Sequence, residues 1–210
     1  EQGISAESQA DYNFGQVMHF SLSASAESPI RRVTLFIRAP ELPNTLTADV
    51  AFSGSEEIEA SHPVDLTQLR LAPFTTVTYW WLVEDQDGNS VETEHQTVEY
   101  VDNQFEWREI EQDGVHVYWT GDEPAVGQAA LDAVISSMPE MTAIIPTDPA
   151  DPLRVYVYPT AADLRAGLRL TGRDWVGAHA RPELGVILVA AGNSLTAATD
   201  LAQSIPHELA

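Results

Sequence analysis

The chain has 210 residues, 44% of them hydrophobic, which is enough for one or two domains with buried cores, and no apolar run approaches the ~20 residues of a membrane-spanning helix. Its 32 acidic residues stand against 10 basic ones, all arginine, and the net charge of -22 argues against nucleic acid or an anionic membrane surface as a partner. Cysteine is absent, so disulfides and thiolate-ligated zinc are excluded.

The first hundred residues read as strands. Met18, Phe20 and Leu22 alternate with polar neighbours, the period of a half-buried strand. Val33, Leu35 and Ile37 repeat the pattern, and Ala48, Val50 and Phe52 predict a third strand. Val77 to Val83 is aromatic and β-branched on both faces, as a central strand should be. Asp85-Gln86-Asp87-Gly88-Asn89 is a turn signal, and Val91 to Tyr100 is the returning arm of a hairpin. A superficial likeness of this turn to a calcium loop fails for want of the further ligands such a loop needs. No helical period is evident before Asn103. Short strands separated by turn residues predict a β-sandwich of immunoglobulin or fibronectin-III size over residues 1–103.

From residue 104 the period changes. Val115, Val117 and Trp119 form a short strand, and Gly121-Asp122-Glu123-Pro124 opens a helix with proline in its first turn and acids at its positive end. Leu131, Val134, Ile135, Met138 and Met141 follow at helical spacing. Leu153 to Tyr158 is a strand, and Thr160 caps a short helix carrying Leu164, Leu168 and Leu170. A loop with Gly172, Trp175 and Gly177 leads to a strand from Gly185 to Ala191, and Thr196 onward reads as helix. Alternating strands and helices predict an α/β or α+β domain over residues 104–210.

His19, His62, His95, His116 and His179 read as ordinary exposed or packed histidines, with no second ligand at metal spacing. His207-Glu208-Leu209-Ala210 stands apart. In an H-E-x-x-H motif on a helix, two histidines four residues apart share one face and bind zinc, and the glutamate beside the first takes a proton from the metal-bound water. The residue after Ala210 would have to be the second histidine.

Several segments in this order resemble the peptidase-MA-like family of HExxH peptidases, within the gluzincin group. They are Val115-His116-Val117-Tyr118-Trp119-Thr120-Gly121-Asp122, Val155-Tyr156-Val157-Tyr158-Pro159, Asp174-Trp175-Val176-Gly177-Ala178, Gly185-Val186-Ile187-Leu188-Val189 and Ile205-Pro206-His207-Glu208-Leu209-Ala210. The resemblance covers roughly Trp107 to Ala210, and members of such families often carry a β-sandwich ahead of the peptidase domain. It implies His207 as the first zinc ligand and Glu208 as general base. It also implies the strand Gly185, Val186, Ile187, Leu188 and Val189 as the edge strand that pairs with an extended peptide or protein substrate.

The second histidine and the glutamate ligand would follow Ala210. The parent protein is therefore expected to use zinc, whereas this chain alone is expected to be inactive and to hold no zinc stably, since a catalytic site needs three protein ligands. The N-terminus, Glu1-Gln2-Gly3-Ile4-Ser5, has no leader pattern, and an extracellular or cell-surface protein would have lost its signal peptide already. The competing expectation is a non-catalytic extracellular module that self-associates through the strand edges of its sandwich. A third, sugar binding, would need an exposed platform from Trp80 or Trp81, which point to opposite faces of one strand.

Overall fold

The computed structural model describes residues 3–69, 71–144, 152–169, 178–181, 185–191 and 194–209. The chain divides into two compact units, Glu1–Asp102 and Asn103–Ala210.

The first unit is β-rich, with two antiparallel sheets. One has the order β1-β2-β6-β5, built from β1 (Ser5–Asn13), β2 (Val17–Ser25), β6 (Glu57–Asp65) and β5 (Phe52–Gly54). The other has the order β4-β3-β7-β8, built from β4 (Leu46–Asp49), β3 (Ile30–Arg38), β7 (Thr75–Asp85) and β8 (Ser90–Glu92), and β9 (Gln96–Tyr100) also pairs with β7. Alternation does what it predicts. Met18, Phe20 and Leu22 of β2 are buried, as are Val33, Leu35 and Ile37 of β3 and Val77, Tyr79, Trp81 and Val83 of β7. Phe20 meets Tyr79 edge to face at 5.0 Å, so the inner faces of the two sheets share one core. Each large side chain buried this way contributes about 1.5–3 kcal/mol of transfer free energy.

The expected strand through Ala48, Val50 and Phe52 is two strands in different sheets. β4 pairs with β3 and β5 pairs with β6. Val50, between them, is buried, and its N–H donates to the Val33 carbonyl at 2.8 Å where the chain crosses over. The returning arm after the hairpin is likewise interrupted. Thr93 bridges the break between β8 and β9, donating its N–H to the Trp81 carbonyl at 2.9 Å and accepting the Trp81 N–H on its hydroxyl at 3.0 Å. β1 and β6 carried too little apolar contrast to be read in advance. β6 tolerates Pro63 because β5 reaches only Ile58–Ala60, so among the described residues the strand has β2 alone beside it at Pro63. A four-residue helix, α1 (Leu66–Leu69), follows β6, where Asp65 accepts the Thr67 N–H at 2.9 Å.

The second unit is a mixed sheet with helices. Its order is β10-β11-β12-β14-β13, from β10 (Trp107–Gln112), β11 (Val115–Thr120), β12 (Leu153–Tyr158), β14 (Val186–Ala190) and β13 (Ala178–Arg181). β11, β12 and β14 run parallel, and the outer strands β10 and β13 run antiparallel to their neighbours. β12 is buried on both faces along most of its length, as parallel central strands are. Helix α2 (Pro124–Ile144) starts on Pro124 and packs Ala130, Leu131 and Val134 into a core with Val117, Val155, Ile187 and Val189.

In α3 (Ala161–Arg169) Leu164 and Leu168 are buried. The Thr160 hydroxyl caps this helix by accepting the Asp163 N–H at 3.1 Å. α4 (Ser194–Leu209) runs unbroken through Pro206 as one helix. Leu170, the loop with Gly172, Trp175 and Gly177, and Ala210 lie outside the described residues.

Candidate functional site

α4 places the candidate catalytic pair. Its apolar stripe is Ala197, Leu201 and Ile205, four residues apart and all buried in the core of the second unit. His207 lies two residues beyond Ile205, about 200° further round the helix, and this rotation turns it to solvent, where it is exposed. The next helix position is Glu208. A histidine in the last turn is also favoured electrostatically, because the C-terminal end of a helix carries partial negative charge.

Zinc in a catalytic site requires three protein ligands and an open position. Among the described residues no group of three or more histidine, cysteine, aspartate or glutamate side chains could hold a metal ion. His207 alone does not make such a site, and further ligands would have to come from outside the described residues.

The strand expected to dock substrate is not an edge. β14 lies between β12 and β13, and its main chain is laddered to Arg154–Tyr158 on one side and Ala178–Arg181 on the other. Val186, Ile187, Leu188 and Val189 are each at most 3% exposed. Gly185 precedes the strand with φ 62°, a left-handed conformation that glycine adopts without strain, and its carbonyl accepts the Arg154 N–H at 2.8 Å. Among the described residues the outer position belongs to β13, which contains His179 and pairs with β14. α4 packs against both β13 and β14. β13 was not legible in the sequence because four residues are too few to show a period.

Two further polar groupings are well formed. On the β10–β11 hairpin one oxygen of Glu109 accepts the Tyr118 hydroxyl at 2.9 Å and faces His116 Nδ1 at 2.8 Å. The His116 contact, then the Tyr118 hydrogen bond, hold the Glu109 carboxyl below its usual range. Glu109 and His116 both remain partly exposed, so this is a surface arrangement of small energy. At the β7–β8 turn Asp85 is 2% exposed and accepts both the Asn89 N–H and its side-chain amide at 2.8 Å. These bonds lower its carboxyl below the usual range.

Trp81 is fully buried in the first unit. Trp80 stacks on Phe36 from β3 at 5.2 Å and on His95, beside β9, at 4.1 Å. These partners flank β7 on opposite sides, so the ring faces a sugar would need are already occupied.

Neither a family model nor a curated protein matches the chain. Solved structures similar to parts of it include wild-type OgpA from Akkermansia muciniphila, at TM-score 0.38 and 13% identity over 48% of this chain and 28% of that one. A cycloalternan-degrading enzyme from Trueperella pyogenes aligns at TM-score 0.32 and 13% identity, over 52% of this chain and 16% of that one. A family 56 carbohydrate-binding module, described as a β-1,3-glucan binding domain, aligns at TM-score 0.29 and 14% identity, over 45% of this chain and 98% of that one. The chain thus spans well under a third of the two enzymes, and likenesses this slight assign it neither substrate nor reaction.

Proposed function

We propose that the chain is the N-terminal portion of an extracellular zinc-dependent peptidase of the peptidase-MA-like, gluzincin type, preceded by an immunoglobulin-like sandwich. In this reading His207 is one metal ligand, Glu208 is the general base, and the remaining ligands come from the protein beyond these 210 residues. The observation that carries the reading is α4 itself: a helix docked on the last two strands of a mixed sheet and ending in His-Glu. The side of β13 away from β14, unpaired among the described residues, takes the peptide-docking role first expected of Gly185 to Val189. In this reading activity requires the whole protein, because a catalytic zinc site needs three protein ligands.

The test is Glu208→Gln in the parent protein, assayed on an unstructured protein substrate such as casein. Loss of general-base catalysis should slow cleavage by about 100-fold to 10,000-fold, with folding and zinc content unchanged. Undiminished cleavage by the variant would remove Glu208 from the mechanism.

A second reading, a non-catalytic module that assembles through strand edges, draws on β1, a nine-residue outer strand whose one neighbour among the described residues is β2. Glu7 and Asp11 on β1 oppose self-pairing by charge. Under this reading the oligomer grows with added salt in sedimentation measurements, and a monomer at every salt concentration would remove it.

A further inference from the structure

We draw no further inference here: the strongest candidate, the small polar cavity at the tip of the β7–β8 hairpin lined by Glu27, Ser28, Asp85, Asp87 and Asn89, is a cluster of acids whose buried carboxylate is already satisfied by Asn89, and nothing in the structure points to a ligand in it.

Discussion

Asp85 shows how a single carboxylate fixes a turn. It is 2% exposed, and the two Asn89 donors hydrogen-bond its carboxylate. A carboxyl depressed in the folded state stabilises the fold above its unfolded pKa, and that contribution is lost as pH falls through the folded value. Asp85, Asp49, Asp65 and Glu109 are all depressed. Their contribution should be intact above about pH 5 and decline below about pH 4. Asp85→Asn should therefore lower stability at neutral pH and flatten the acid limb of a denaturation curve, and an unchanged acid limb would contradict this assignment. Tyr100 works in the opposite direction. Burial pushes its pKa up to about 12, against the lowering effect of the Gly15 N–H, which donates to its oxygen at 2.6 Å. The folded state keeps this proton where the unfolded state releases it, so stability should fall as pH rises from about 10 toward 12. Tyr100→Phe should remove that alkaline decline. Gly127 is a steric case: a Cβ there would lie 2.5 Å from the Trp119 ring. Gly127→Ala should cost about 1–3 kcal/mol by overpacking, even though alanine is the better helix former. Chemical denaturation reads the difference, and a stabilised variant would show that the ring can move aside.

Elements were legible where the hydrophobic contrast was strong. β2, β3, β7 and β12, and the cores of α2 and α3, follow from period alone, because each buries one clear face or both. β1 was illegible because its inward positions, Ala6, Ser8, Ala10 and Tyr12, are mostly small and only half-buried. The Ala48–Phe52 stretch was misread as one strand because alternation continues across a sheet change that only tertiary pairing reveals. The run Gly185 to Val189 was apolar for a different reason than expected, namely an interior place in the sheet. His207 and Glu208 were visible as a dipeptide late in a stretch read as helix from Thr196 onward, and α4 carries them there. Pro206 makes an element-scale prediction. Lacking an N–H, it leaves the Ala202 carbonyl without its usual intrahelical donor and strains the turn that carries His207. Pro206→Ala should slow amide exchange in the last turn of α4 and raise thermal stability. Exchange unchanged at those amides would mean that neighbours, not the helix ladder, hold that turn.

For the molecule as a whole, charge dominates. A net charge of -22 on 210 residues repels itself in the compact state. Raising salt from 0.1 M to 1 M shortens the screening length from about 10 Å to about 3 Å, so the melting temperature should rise over that range. A melting temperature that falls would show that the surface arginine–carboxylate pairs, such as Arg32 with Asp49 at 2.9 Å, outweigh the net repulsion. Among the described residues no helix is long and apolar enough to cross a membrane. The central claim rests on one end of one helix. Its most direct test is elemental analysis of the purified parent protein beside its His207→Ala variant, both shown to be folded by circular dichroism. About one zinc per molecule is expected in the parent, with a large loss of it in the variant. A parent without zinc, or a variant that retains it fully, would contradict the assignment of His207 as a metal ligand.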